Sequence, residues 1–181
     1  MSTLDAIRDA MPDAAKDMRL NLTSVLEQST LDLDDRWGVA VASAIAARSP
    51  QLVAALADAA RTAGVAEGAL DDARTAAVVM GMTNVFYRFR HLVGKDGYQQ
   101  RPPRLRMNRL AAPQSSKRSL ELFSLAVSAI NACEACVRSH EAVVVHEGLT
   151  EDQVIDAVRI ASVVHASAVA LELPATAAVG T

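Results

Sequence analysis

An all-α fold is what this sequence predicts, and three observations predict it. Apolar residues recur at helical spacing in one segment after another, while no period-two strand pattern of useful length occurs. The 181 residues are 51% hydrophobic but only 3% aromatic, so the core must be assembled from Ala, Val, Leu and Ile, which suits closely packed helices. Most Pro and Gly residues fall between the periodic segments, where they stop one helix or start the next. A chain of this length buries most of its apolar surface as one compact domain or as two small halves sharing a core.

The elements follow in order. Residues 1–17 are polar and acidic, with Asp5, Asp9 and Asp13, and lack the basic start and apolar run of a secretory signal. A helix is predicted over 13–28, where Ala14, Met18, Leu22, Val25 and Leu26 keep helical spacing behind Pro12. Residues 34–48 form a strongly apolar helix closed by Ser49 and Pro50, and 50–63 form another, with Gly64 as its C-terminal cap. The longest candidate is 70–92, where Gly81 marks a weak point or a close packing contact. Residues 94–116 hold Gly94, Gly97, Pro102, Pro103 and Pro113 among basic residues; they read as a long ordered loop, either a plain crossover or a docking or subunit-contact segment. A helix resumes over 117–130 and carries Glu121. The next starts after Asn131, read as its N-cap, and runs to about His146 before Gly148. Thr150 and Gln153 form a capping-box signature for a last helix reaching Leu173 before Pro174, apolar nearly all round from 157 to 171.

The apolar runs at 37–47 and 161–171 are short or interrupted by His165, so no membrane span is expected and a cytoplasmic location is. A net charge of −3 and a pI near 5.8 leave no basic footprint for nucleic acid.

The chemistry concentrates between Glu121 and His140. Cys133 and Cys136 are the only cysteines, and with His140 they form Cys-x-x-Cys-x-x-x-His, which a helix would align on one stripe. A thiolate is favoured near a helix N-terminus or beside a proton acceptor. His140 lies one turn beyond Cys136 and two beyond Cys133, so Cys136 reads as the activated thiol and Cys133 as its resolving partner. Two other readings stay open on motif content alone: a zinc site completed by Glu121 or His146, and two incidental buried cysteines. In a reducing compartment a lone Cys-x-x-Cys is a reactive pair rather than a staple. Glu121 reaches the thiols only if its helix packs against theirs as a hairpin.

A weak internal repeat runs at an offset of 85. Ser43-Ala44-Ile45 matches Ser128-Ala129-Ile130, and Leu70-Asp71 aligns with Ile155-Asp156. It suggests two related helical halves, about 13–92 and 117–173, with Arg48 and Gln51 standing where the cysteines would be; chance matching in an alanine-rich chain is the alternative.

The stretches Leu120-Glu121-Leu122-Phe123-Ser124 and Ala126-Val127-Ser128-Ala129-Ile130-Asn131, followed by the dithiol motif, resemble the alkyl hydroperoxidase D (AhpD) family. Met80-Gly81-Met82-Thr83-Asn84-Val85-Phe86-Tyr87-Arg88 and Leu105-Arg106-Met107-Asn108 agree with it, and the likeness covers essentially the whole chain. The resemblance implies an AhpD-like helical fold assembled as a homotrimer, and a relay in which Glu121 and His140 deprotonate Cys136 with the help of a water. It implies a thiol peroxidase: Cys136 reduces an alkyl hydroperoxide, passes through a sulfenic acid, and closes a disulfide with Cys133. No tightly bound cofactor is implied. The implied reductant is dihydrolipoamide, carried on the lipoylated E2 component of a 2-oxoacid dehydrogenase, and the implied protein partner is a peroxiredoxin, alkyl hydroperoxide reductase C. A pure thiol–disulfide adaptor is the nearest alternative. Many relatives carry a further His immediately before the second cysteine; Ala135 stands there. The intact dithiol argues against the decarboxylase-like chemistry of the wider superfamily.

The remaining candidates read as structural. His146 falls off the His140 stripe and is a surface group, His165 a core or interface histidine, and His91 part of a solvated helix end. Met80 and Met82 are packing residues, and Trp37 a core or interface anchor.

Overall fold

A computed structural model describes residues 3–173, and all regular structure among them is helical. The helices are α1 (Thr3–Ala10), α2 (Lys16–Glu27), α3 (Leu33–Ala46), α4 (Pro50–Thr62), α5 (Glu67–Val93), the single turn α6 (Asp96–Gln99), α7 (Lys117–Ile130), α8 (Glu134–His146) and α9 (Glu151–Leu171). The predicted helix over 13–28 begins with a 3-10 turn at Asp13–Ala15, and α1 precedes it where no helix was expected. The loop over 94–116 likewise contains α6 and a 3-10 turn at Asn108–Ala111. Pro174 lies outside the described residues.

α3 and α7 form the centre, packed on each other and on both α5 and α9. Their crossing is close because Gly38 has no side chain: a Cβ there would land inside the ring of Phe123, which is fully buried. α2 lies against α9, α1 against α4, and α8 against α7 and α5. Small side chains line these contacts, as the aromatic-poor composition requires; Ala40, Ala42, Ala44, Ala69, Ala73, Ala76, Ala126 and Ala157 are all buried.

Helix ends follow the expected chemistry. Asp32 and Ser116 cap α3 and α7 by accepting the N–H groups of Asp35 and Ser119, and Thr150 and Gln153 form the reciprocal capping box of α9. Gly64 and Gly148 adopt left-handed φ, +89° and +98°, just after α4 and α8. A Cβ at Gly81, in contrast, would meet no atom of the described residues within 4 Å, so Gly81 is not a close packing contact among them. α9 is 21 residues long and apolar enough to cross a membrane by length and composition, contrary to the reading of short interrupted runs. Half of that apolar window is buried inside the bundle, so α9 serves as a packing helix of the core.

α3, α4 and α5 start at residues 33, 50 and 67, and α7, α8 and α9 at 117, 134 and 151, a constant displacement of 84. The sequence offset of 85 is therefore one residue out of register with the helices. At 84, Ser49 and Leu52, rather than Arg48 and Gln51, stand opposite Cys133 and Cys136, and Asp72 stands opposite Asp156. These two aspartates do matching work. Asp156 accepts the N–H and hydroxyl of Thr30 at 2.7 and 2.8 Å, and Asp72 accepts the N–H groups of Gln114 and Ser115 and the Ser115 hydroxyl at 2.7–3.0 Å.

Candidate active site

The corner between α7 and α8 is built from the backbone outward. Asn131 ends α7 as its C-cap, with its N–H on the carbonyl of Val127, so it is not the N-cap of the motif helix. Ala132 takes a left-handed φ of +52°, a conformation uncommon outside glycine. Cys133 is then the N-cap of α8, and its N–H returns to the carbonyl of Ser128 at 3.1 Å. Cys136 occupies the third position of α8, in the first turn, where the exposed N–H groups and the helix dipole favour a thiolate. The shift relative to the expected cap places Cys133 outside the helix.

Polar side chains brace this turn from behind. Arg88 donates to the carbonyl of Asn131, the Asn131 amide donates to Oδ1 of Asn84 at 2.9 Å, and the Asn84 amide donates to the Ser128 hydroxyl at 3.0 Å. His91 contacts Glu134 at 3.1 Å, and Glu134 also pairs with Arg138 as the i, i+4 spacing predicts. His91 thus ties the end of α5 to the first turn of α8, beyond the solvated role expected of it.

Cys133 and Cys136 are joined as a disulfide with Cα atoms 5.3 Å apart. Cys133 is completely buried; Cys136 is 7% exposed and faces a cavity of about 320 Å³. Met80, Thr83 and Tyr87 of α5, Met107 and Leu110 of the loop, and Ala135, Ser139 and His140 of α8 complete its lining. The α7–α8 hairpin returns Glu121 to the site: its Oε2 lies 2.6 Å from Nδ1 of His140. On the other side of the ring, Nε2 lies 3.2 Å from Sδ of Met80.

Glu121, Cys133, Cys136 and His140 are therefore one cluster. The expected buried stripe along α8 is narrower than the sequence suggests: Cys136 and Val144 are its only buried residues, while Val137, His140 and Val143 are half-buried. His146 is exposed as expected; His165 is exposed on the outer face of α9, outside the core. Met80 is 1% exposed, in keeping with a packing role, yet it also touches the imidazole and walls the cavity. Sequence reasoning passed over Met80, Asn84 and Asn131 as site residues, although Met80 and Asn84, four apart, share one face of α5. Among the described residues no group of three or more His, Cys, Asp or Glu is placed to hold a metal ion.

The described residues define a helical protein with a disulfide-linked cysteine pair beside a carboxylate–imidazole pair, and comparison with known sequences narrows the class. Residues 97–178 match the family model described as carboxymuconolactone decarboxylase family. The alkyl hydroperoxide reductase AhpD of Anaeromyxobacter sp. (strain K) is 60% identical over 180 residues, covering 99% of this chain and 96% of that protein. Those of Rhodospirillum centenum and Solibacter usitatus are 44% and 46% identical, over 96% and 95% of this chain and 92% and 97% of theirs. The chain belongs to the AhpD family of alkyl hydroperoxide reductases.

Proposed function

We propose that this protein is an antioxidant thiol peroxidase in which Cys136 is the peroxidatic nucleophile, Cys133 the resolving thiol, and His140 with Glu121 the proton relay. The observation that carries the reading is the placement of the Cys133–Cys136 pair: one sulfur sealed in the core, the other in the first turn of α8 against a cavity that also holds His140. Reduced Cys136 attacks the terminal oxygen of a hydroperoxide and releases an alcohol. The resulting sulfenic acid condenses with the Cys133 thiol, giving water and the disulfide. Met80, Tyr87, Met107, Leu110 and Ala135 make the cavity mainly apolar, which favours an alkyl hydroperoxide over hydrogen peroxide. Ala135 leaves the room and apolarity that a histidine would remove.

In this reading a dihydrolipoyl group, borne on a lipoylated 2-oxoacid dehydrogenase component, enters the same cavity and attacks Cys136, the accessible sulfur, to restore the dithiol. The protein also reduces a peroxiredoxin partner, works in the cytoplasm, and assembles as a homotrimer. The trimer finds support in an apolar stripe exposed along α5, formed by Val78, Val85, Phe89 and Leu92. Docking finds support in Arg101, Arg104 and Arg106, exposed in the loop that also supplies Met107 to the cavity. The constant displacement of 84 supports two related helical halves, of which the second carries the chemistry.

The test is intact mass and metal content before and after one equivalent of an organic hydroperoxide, then after dihydrolipoamide. The expected result is a loss of about 2 Da, restored by the dithiol, with no zinc bound. An unchanged mass with about one zinc per chain would replace the peroxidase with a metal-binding module.

A further inference from the structure

His140 faces an acceptor on both sides. Nδ1 shares a 2.6 Å hydrogen bond with the Glu121 carboxyl group, and one proton lies between them whichever atom owns it. Nε2 lies 3.2 Å from the sulfur of Met80, and a thioether accepts hydrogen bonds but carries no hydrogen to donate. The surroundings of that sulfur fix its role independently. Oδ1 of Asn84 accepts from Asn131, so its amide nitrogen faces the other way, with one hydrogen on Ser128 and the other toward the sulfur at 3.7 Å. Met80, itself only 1% exposed, therefore accepts from the Asn84 amide on one side and faces Nε2 of His140 on the other. The charged groups on this side are Glu121 and, one turn earlier on α7, Lys117, which feels the Glu121 charge.

We propose that Met80 is a positioning residue that holds a proton on Nε2 of His140 while the dithiol is oxidised, so that the Glu121–His140 pair carries two protons in the disulfide state. The inference rests on the proposed thiol chemistry for its purpose, though not for its test. Reduction then delivers Cys136 as a thiolate beside a ring already protonated on the cavity side. The balance is one dithiol plus the disulfide, giving one cyclic disulfide, the Cys133 thiol, the Cys136 thiolate and one proton released to solvent. In the next half-cycle the thiolate takes the terminal peroxide oxygen, the O–O bond breaks, and the Nε2 proton goes to the leaving alkoxide. After the sulfenic acid condenses with the Cys133 thiol, the pair recovers its proton from solvent.

Proton counting decides the matter. Disulfide-form protein is reduced with dithiothreitol at pH 7 in weak buffer containing a pH indicator, and disulfide loss is measured in parallel. The expected release is about one proton per chain for the wild type and near zero for Met80→Leu, which keeps the volume and removes the acceptor. No release from the wild type, or equal release from both proteins, would overturn the proposal; the Nε2–sulfur contact would then be a lone-pair contact without a hydrogen. Nitrogen NMR of His140 in the wild-type disulfide form gives a second readout, with both ring nitrogens protonated as the expected result, and it decides alone if Met80→Leu does not fold. Failure of the peroxidase reading shows separately, as absent hydroperoxide consumption, and leaves the proton count unaffected.

Discussion

The corner between α3 and α4 and the corner between α7 and α8 turn the chain in the same way. Arg48 and Ala132 both adopt left-handed φ, +58° and +52°, and the N–H of the following residue, Ser49 or Cys133, returns to the carbonyl of Ala44 or Ser128. The side chains then part company. Opposite Glu121, Cys133, Cys136 and His140 stand Trp37, Ser49, Leu52 and Leu56. Leu52 and Leu56 are wholly buried, and α1 lies across α4. Among the described residues no further helix lies across α8 in this way, and the same turn leaves a cavity of about 320 Å³ at Cys136. A backbone that merely reverses the chain becomes a site when its covering helix is withheld and its two leucines are replaced by a thiol and an imidazole.

The most direct way to break this comparison is to remove the thiols. Cys136→Ser is expected to abolish hydroperoxide consumption, a loss of about 10³-fold or more, because Cys136 is the one thiol among the residues lining the cavity and a neutral hydroxyl is a far weaker nucleophile. Cys133→Ser should still consume one equivalent and stop at a sulfenic acid, which dimedone labelling followed by mass spectrometry detects. Normal turnover by Cys136→Ser would reverse the two assignments.

Next in size is the pair behind the thiol. Glu121→Gln and His140→Gln should each slow turnover by roughly 10²-fold, the ordinary loss of acid–base assistance, and should shift the pH dependence of Cys136 alkylation. Both variants alkylating as the wild type does at every pH would dissolve the relay.

At the opposite corner the same surgery should touch stability alone. Leu56→Ala removes a fully buried side chain and is expected to cost about 2–5 kcal/mol in denaturant unfolding. Hydroperoxide turnover well below the melting temperature should stay within about twofold, since additivity holds between distant sites. A matched loss of turnover would mean the corners are coupled through α3 and α7.

How far the sequence could be read depends on which physical signal each part carries. Long periodic helices were legible because burial of one face dominates them, and Glu121, Cys133, Cys136 and His140 were legible because thiols and imidazole stand out by type. α1 was not: it is eight residues long, half of them polar, and buries only Ile7, so its helix depends on docking against α4. Asn131 was misplaced because one helix ends and the next begins within three residues, and asparagine suits both termini. The repeat slipped by one residue because Ser-Ala-Ile triplets match by identity, whereas the hydrogen bonds align by turn geometry. Met80 looked like packing because a thioether reveals its acceptor role only when donors surround it.

The smallest expected effect tests the interior carboxylates that hold the bundle together, and it turns on sign. Burial raises the proton affinity of Asp156, but the Thr30 N–H and hydroxyl and the Arg159 guanidinium outweigh it, so its carboxyl lies below the usual carboxylate range. A depressed folded value means the folded state binds the proton less readily than the unfolded chain, so Asp156 contributes stability above the unfolded value near pH 3.9 that is lost as pH falls through the folded value. Asp35 runs the other way. Burial raises it above the usual range, with Asp32 adding to the effect and the Ser119 hydroxyl and Arg118 opposing it. Its favourable contribution is complete below the unfolded value and is lost as pH rises through the folded one. Acid unfolding curves of Asp156→Asn and Asp35→Asn should therefore depart from the wild type in opposite directions. Below about pH 4, Asp156→Asn should lose stability less steeply than the wild type as acid is added, because the proton it no longer binds was driving unfolding. Asp35→Asn should remove a gain the wild type makes on acidification, so its curve departs from the wild type above about pH 4, where that gain accrues, and runs parallel to it below. Parallel curves for the two variants would mean that the Thr30 hydrogen bonds fail to hold Asp156 ionised, and that the link between the start of α3 and α9 is weaker than its distances imply.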